Sequence, residues 1–521
     1  MKKYVLILGA GFLQKPSIEA AKELGYEAIV IDANPHAVCV PFADRFEKID
    51  LKDREKIAEF AFSLGKELCG VFTAGTDFSA SVSYAAQKCG LISHSFEAAM
   101  NASNKILMRE CFKRNGIPSP DFFEADEEFL SQVECGKKIG LEFPKVVKPV
   151  DNMGARGCRL ARNQEEFIFA LKEAVKFSRT KKAVVEDYMK GREFSVDALV
   201  SGGRIVVTGF ADRHIFFEPY FVELGHTMPS VADESEKKEV IKVFSDAVFA
   251  LGLTDGVAKG DMKLTEKGAM VGEIAARLSG GYMSGWTFPY SSGFNLTKAA
   301  MEISLGIKKS FPTADEIFSV KTSAERAFIS IPGVVKKIYG ADSAAACPFV
   351  KDVFFRVKEN DRVVFPRNNV EKCGNVISLA PENRLAVSGA ENAVSRIVLR
   401  LEPADDETEN FLSGAELPQE KGFPFSAYDF DFDAEEIFRG TDEKFIGENS
   451  SAAEFFSSVK NENFWCAKDW NFRSVRQTLF LFDEICRTHG KLDAKKFIRF
   501  LIRGGIQGIL FYADSEAADE K

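Results

Sequence analysis

The sequence predicts a multidomain protein of mixed α/β and α+β class, and three observations predict it. The chain has 521 residues, enough for about three or four domains of roughly 100–200 residues each. Residues 1–95 alternate short apolar runs with amphipathic segments, which is how a parallel sheet with helical crossovers reads. Residues 423–521 are rich in Phe and acidic groups and read as a smaller, mostly helical segment.

The elements follow in order. Tyr4–Leu8 is a continuous apolar run, a strand buried on both faces. Gly9-Ala10-Gly11 turns the chain, Ser17–Leu24 reads as a helix closed by Gly25, and Ala28–Ile31 is a second strand ending at Asp32. The strand Phe46–Leu51, a helix from Arg54 to Leu64, the strand Gly70–Thr73 and a helix around Ser79–Lys88 complete a Rossmann-like N-terminal domain, 1–95. A helix from about Ser103 to Arg114 stops at Asn115-Gly116, with Pro118 and Pro120 behind it. Phe143 to Asp197 reads strand, glycine loop, helix, strand, loop, strand. A long helix lies near Glu236–Leu251, and Lys259–Ile274 reads as a hairpin. These segments make a second domain, 96–310, followed by an α+β part at 311–403. The acidic stretch 404–422, with its prolines and glycines, is expected to be a linker to 423–521.

Composition narrows the function. Lys+Arg number 68 and Asp+Glu 77, a formal charge of −9, which disfavours a general binder of nucleic acid or anionic membranes. No apolar run approaches the ~18–20 residues that span a bilayer. Ten scattered cysteines include no CxxC pair and there are five histidines, so neither a disulfide framework nor zinc-finger spacing is present. Lys2-Lys3 before Tyr4–Leu13 has the look of a signal peptide's start, but no small-residue cleavage site precedes the charged stretch Glu19–Glu23. A cytoplasmic location is the expectation.

Four segments carry possible chemistry. Gly9-Ala10-Gly11 with Asp32 is a partial dinucleotide turn, but Gln14-Lys15-Pro16 stands where a third glycine would be. Lys148 leaves a strand beside Asp151-Asn152-Met153-Gly154-Ala155-Arg156-Gly157, a combination suited to phosphates, although an ordinary hairpin with a surface lysine reads the same way. Glu186-Asp187-Tyr188-Met189 and then Glu193 bracket a connector that can meet an adenine edge and a ribose, or form a plain strand–turn–strand. In the hairpin, centring the turn on Lys267 brings Asp261 opposite Glu273. Facing carboxylates repel, so a hard divalent cation is one economical remedy. Period-2 alternation adds Ala275 and Arg277 to that face, with Leu278-Ser279-Gly280-Gly281 behind them.

In this order and spacing the segments resemble the ATP-grasp superfamily over residues 1–310, less distinctly to 403, and not in the tail. Within it, Asp151–Gly157 and Gly191–Asp197 look most like the amino-acid ligase and carbamoyl-phosphate-synthase-like group. The resemblance implies that Lys105 and Lys148 contact ATP phosphates under a mobile lid that includes Gly154, Arg156 and Gly157. It implies an adenine pocket at Glu186, Asp187, Tyr188 and Met189, a ribose contact at Glu193, and Mg2+ or Mn2+ on Asp261 and Glu273. Arg277 would steady the transferring phosphoryl group. Two departures stand out: Ala275 occupies a position that is usually Asn, and Asp261 one that is more often Glu.

The implied activity is ATP-dependent joining of a carboxylate to an amine through an acyl phosphate, with ATP and Mg2+ as cofactors. Arg213, His214, Glu223 and His226 would border the acceptor. Expected partners are small-molecule carboxylate and amine substrates, with a homo-oligomer allowed and neither nucleic acid nor membrane. Two alternatives remain at this point: a catalytically silent ATP-binding or scaffold protein, suggested by Ala275, and a Rossmann NAD(P) oxidoreductase.

Overall fold

The computed structural model describes residues 2–135, 140–307, 312, 317, 320–414, 420, 422–430 and 445–519. The chain divides into two compact units, one of residues 1–215, 225–324 and 380–383, the other of 216–224, 325–379 and 384–521.

The first unit opens with strands β1 (Tyr4–Leu8), β2 (Glu27–Asp32), β3 (Arg45–Lys48) and β4 (Leu68–Phe72), all parallel in the order β3-β2-β1-β4. Between and after them run helices α1 (Lys15–Glu23), α2 (Arg54–Ser63) and α3 (Ser79–Lys88). Strand alternation explains why β1 is apolar throughout. Leu6 and Leu8 join Ile29, Ile31, Ile57 and Ala85 in one core. Val5 and Ile7 join Ile18, Val30, Met283 and Met301 in another.

Helices α4 (Phe96–Ser103) and α5 (Lys105–Arg114) are separate, because Asn104 leaves helical geometry and caps α5, its Oδ1 accepting from the amides of Ile106 and Leu107 (3.0 and 3.2 Å). The single helix expected from Ser103 therefore begins at Lys105, which becomes its first residue.

An antiparallel sheet follows, with order β5-β8-β6-β7: β5 (Phe122–Asp126), β6 (Lys145–Pro149), β7 (Arg159–Ala161) and β8 (Lys182–Asp187). Helix α6 (Glu127–Glu134) precedes β6, and α7 (Gln164–Phe177) packs Phe167, Leu171 and Val175 beneath this sheet. A larger antiparallel array runs β13-β12-β9-β10-β11, from β9 (Gly191–Ser201), β10 (Arg204–Phe216), β11 (Val222–Met228), β12 (Gly256–Thr265) and β13 (Gly268–Ala275). Helix α8 (Glu234–Ala250) covers it with Val240, Phe244 and Val248, and starts at a capping box made by Asp233 and Glu236.

In the second unit, strands Val350–Phe355 and Gly374–Ala380 pair antiparallel, and Gly333–Tyr339 is flanked by Arg362–Val363 and Val398–Leu401. The tail contributes helices Ala452–Phe455, Glu462–Cys466, Val475–Ile485 and Ala494–Asp519, the last broken at Gly505 (φ 57°). Phe456, Phe464, Phe482 and Phe497 are buried in contact with one another.

The expected boundary at 404–422 needs correcting. Asp406–Ser413 is a helix capped by Asp405, with Phe411 and Leu412 buried; residues 415–419 and 421 lie outside the described residues. Polar anchors fasten the tail to the strands before it. Asn471 accepts from the Ile329 amide and donates to its carbonyl (2.9 and 3.0 Å), and Gln507 Nε2 donates to Ser330 Oγ (2.7 Å) and Leu399 O (2.9 Å). Such anchors are invisible to composition, which saw only an acidic stretch.

Candidate active site

The site is built on α5, the end of β6 and the β12–β13 hairpin, all in the first unit. On α5, Lys105 and Arg109 are four residues apart and so share a face. Lys105 Nζ donates to Asn152 O (2.9 Å) and lies 3.4 Å from Glu273 Oε1. Arg109 is buried. Its Nε donates to Glu186 Oε1 (2.8 Å) and its Nη2 to Gly272 O (2.6 Å). Lys148 Nζ donates to Glu186 Oε2 (2.7 Å). Burial alone would raise the Glu186 carboxyl, but Arg109 and Lys148 overcome it and hold it at about 2. Burial alone would lower the Lys148 ammonium, but Glu186 prevails and holds it above its ordinary range.

The hairpin differs instructively from expectation. Thr265 pairs with Gly268, so the turn is the two residues Glu266-Lys267, not a turn centred on Lys267. That register alone would misalign the acids. A bulge between Asp261 and Met262 on one strand, opposite Gly272 on the other, restores it, and Asp261 does face Glu273. A Cβ on residue 272 would stand 2.8 Å from Asp261 O, so the close approach requires glycine here.

The facing acids are compensated by basic side chains. Asp261 Oδ1 is ion-paired with Lys259 and, at 3.1 Å, with Arg213 Nη1. For Glu273, burial and Asp261 push the carboxyl up, but Lys105 and Lys259 prevail and leave it below its ordinary value. Arg213 also reaches Glu193 (3.3 Å), whose other oxygen takes Lys263 (2.7 Å). Lys263 further donates to Met189 O (2.9 Å) and lies over the Tyr188 ring (5.4 Å). Lys259, Asp261 and Lys263 alternate along β12, so the period-2 rule could have found both lysines. Arg109, one turn beyond Lys105, was equally findable.

The remaining expected residues divide. Glu186 is buried between its two cations, Arg109 and Lys148, and Asp187 is ion-paired with Lys145. In the glycine loop, Gly154, Ala155 and Gly157 all take positive φ, and Arg156 Nε donates to Met153 O (3.1 Å). Burial and the neighbouring Arg179 lower the Arg156 guanidinium. His226 is buried on β11, His214 Nε2 is 2.9 Å from Thr227 Oγ1, and Glu223 belongs to the second unit, where Lys372 Nζ donates to its carbonyl (2.8 Å). Of the four, Arg213 is the one seen to join the carboxylate cluster, through Asp261 and Glu193.

Arg277 follows β13 and donates from Nη1 to Leu278 O (3.1 Å), with Asp77 Oδ1 4.0 Å from its Nε. The next residue but one, Ser279, donates from N (3.1 Å) and Oγ (2.9 Å) to Asp197 Oδ1. Asp197 is fully buried, which pushes its carboxyl up to about 6. Asp77 and Asp197 were not singled out from the sequence, since each lies far along the chain from the residues it meets.

At the N-terminal turn, Ala10 N donates to Asp32 Oδ2 (2.8 Å). Gln14 is buried against Gly9, bonded to both the carbonyl and the amide of Ala74. The acid and the space that a dinucleotide turn would offer are thus occupied by the chain's own groups.

A strand-borne lysine beside a glycine loop, facing carboxylates on a hairpin and a following arginine are the arrangement implied by the resemblance, and residues 102–281 match the family model described as ATP-grasp domain. This protein carries an ATP-grasp domain. Behind it, residues 327–402 match the L-amino acid ligase C-terminal domain 2. An uncharacterized protein, y4rH, from Sinorhizobium fredii is 25% identical over 415 residues, covering 78% of this chain and 84% of its own. Human carnosine synthase 1 is 24% identical over 344 residues, 60% of this chain and 40% of that protein. The crystal structure of L-amino acid ligase from Bacillus licheniformis superposes with a TM-score of 0.66 at 20% identity, over 77% of this chain and 99% of the other, which shows a shared fold. Among the described residues, no helix of this protein is long and apolar enough to cross a membrane.

Proposed function

We propose that this protein is an ATP-dependent carboxylate–amine ligase, ADP-forming, that acts on an amino acid or similar small carboxylate through an acyl phosphate. The observation that carries the reading is the Asp261–Glu273 pair ringed by Lys105, Lys259 and Arg213. Two hard carboxylates on one face fit Mg2+ or Mn2+. Among the described residues no group of three or more His, Cys, Asp or Glu converges to hold a metal by itself. Mg2+ is commonly bound by one or two carboxylates together with substrate phosphates and water, and this donor set suits that mode. When bound, the ion supplies charge neutralisation between the terminal phosphates.

The chain's own residues do the rest. Lys105 and Lys148 bind the phosphates, the loop with Gly154, Arg156 and Gly157 covers them as a lid, and Tyr188, Met189 and Glu193 border the nucleoside. Arg277 orients the carboxylate and the incoming phosphoryl group. The carboxylate oxygen takes the γ-phosphoryl from ATP and ADP leaves; an amine then attacks the carbonyl carbon, phosphate leaves, and the amine nitrogen gives up its proton to water. Positioning and charge neutralisation suffice for such a transfer. The Rossmann-like sheet, residues 1–95, shapes the substrate end. A nicotinamide reading is disfavoured by Gln14, which fills the glycine turn.

The test is phosphate and ADP release from ATP across a matrix of carboxylates and amines, with hydroxylamine to trap acyl phosphate. Carboxylate-dependent ADP release with a trapped hydroxamate supports the proposal. ATP binding without carboxylate-dependent turnover would favour the silent reading that Ala275 allows.

A further inference from the structure

The parallel sheet sends one acid to the carboxylate site. Asp77 lies in the loop after β4, and that loop is fixed against the segment behind β13. Ala74 bridges Leu278 in parallel, and Gly75 N donates to Leu278 O (3.3 Å). At Gly75 (φ 62°) a Cβ would stand 3.4 Å from the Gly280 Cα and 3.0 Å from Leu13. Gln14, bonded to Ala74 on the other side, removes further slack. Asp77 is therefore displayed by an anchored loop.

Its relation to Arg277 is the informative part. Oδ1 of Asp77 is 4.0 Å from Arg277 Nε, beyond hydrogen-bond length. Among the described residues Asp77 makes no closer ion pair, and Arg277 Nε is buried without a hydrogen-bond partner. Both side chains are largely buried, 10% and 13% exposed. A carboxylate and a guanidinium so far withdrawn from water normally close on each other or on a third body. Holding them just apart leaves each with directional bonding capacity on the same small volume.

A zwitterionic amino acid carries opposite charges one carbon apart, the mirror of this pair. We infer that Asp77 is a specificity-determining residue that takes the ammonium of an amino-acid substrate whose carboxylate is presented to Arg277, so that the activated acid is an amino acid and not a plain carboxylate. The inference rests on the ligase reading above and names the substrate class of its activated half. Asp77 binds and selects; it moves no proton in this account.

The test compares amino acids with their des-amino counterparts: L-alanine with propionate, and L-phenylalanine with 3-phenylpropionate. ADP release with hydroxylamine as trap needs no second amine, so it isolates the activated acid. Equilibrium titration of the same compounds gives a readout independent of turnover. The wild type should favour the amino acid by about 10- to 100-fold, the range for one charge-assisted hydrogen bond. Asp77→Asn, which keeps size and shape, should raise the amino-acid KM by that factor, raise the propionate KM little or not at all, and bring the two within a few-fold. Asp77→Glu should restore part of the preference.

If Asp77→Asn lowers kcat equally for amino and des-amino acids, Asp77 merely positions Arg277 and the inference fails. If the trapped reaction keeps its preference and only amine-coupled turnover suffers, Asp77 serves the acceptor and the inference fails again. If no carboxylate elicits ADP release from the wild type, the ligase reading itself falls, and this inference with it.

Discussion

Asp261 and Glu273 stand opposite each other across the β12–β13 hairpin because Gly272 bulges out of the second strand and shifts the register by one residue. The bulge is held from outside by Arg109, which donates to Gly272 O (2.6 Å). Replacing Gly272 with alanine puts a methyl 2.8 Å from Asp261 O, and backbone must move to admit it. Gly272→Ala is expected to cost about 1–3 kcal/mol of stability and to reduce ATP turnover out of proportion to that loss. Urea denaturation alongside steady-state ADP release separates the two effects. Turnover falling only in step with unfolding would sink the prediction.

Removing the acids themselves should act differently. Asp261 and Glu273 each sit among cations, so Asp261→Asn or Glu273→Gln leaves Lys105, Lys259 and Arg213 to repel one another. A modest fall in Tm is expected. ATP turnover should drop by about 100-fold or more, the scale for losing a group that stabilises transition-state charge. Nucleotide affinity should also lose its dependence on Mg2+, which titration with and without the ion would reveal. Unchanged Mg2+ dependence in the double variant would remove the metal assignment.

The buried Glu186 makes an acid-stability prediction. Its carboxyl titrates near 2 in the folded chain against an ordinary 4.5. A depressed carboxylate contributes stability that is complete above the unfolded value and is lost as pH falls from about 4.5 toward 2. The contribution is on the order of 3 kcal/mol. Glu186→Gln should flatten that part of the urea-midpoint against pH curve. Arg109→Leu, which leaves Glu186 with one cation, should cost about 3–5 kcal/mol. A curve of the same slope in wild type and Glu186→Gln would overturn the assignment.

The segments legible from the sequence were those where periodicity and spacing are local. The strand–helix alternation of 1–95, the lysine before the glycine loop and the facing hairpin acids all lie within short windows. The turn itself was misplaced by half a residue, because glycine at 272 did not announce a bulge; the structure arrives at the same facing pair by a different route. The depth of Glu186 and its two cations were not legible, since burial is not a property of a short window. The tail reads as a separate body because Asn471 and Gln507 reach partners more than a hundred residues away.

Gln14 offers a test of the N-terminal turn. Its side chain satisfies both the amide and the carbonyl of Ala74, at a buried edge. Gln14→Ala should leave both groups unpaired and destabilise the protein by about 1–3 kcal/mol. NADH fluorescence should show no enhancement with the wild type or the variant. Saturable NADH binding by the wild type would restore the dinucleotide reading.

Asp197 couples pH to the segment that follows Arg277. Its Oδ1 accepts from both the amide and the hydroxyl of Ser279, and its carboxyl titrates near 6 because burial disfavours the charge. Here the folded value lies above the ordinary 3.8, so the folded state holds the proton more tightly. Stability must then fall as pH rises between about 3.8 and 6, and level off beyond. Asparagine keeps an oxygen for Ser279 and carries no charge, so Asp197→Asn should remove the fall without loosening the segment. Alanine removes the acceptor as well, stranding a buried amide at about 1–3 kcal/mol and freeing the backbone that sets Arg277. Asp197→Ala should therefore lose stability at every pH and lose turnover beyond it, while Asp197→Asn gains stability above pH ~6. Equal behaviour of the two variants would show that Ser279 needs no acceptor and that Arg277 is held in place by Leu278 alone.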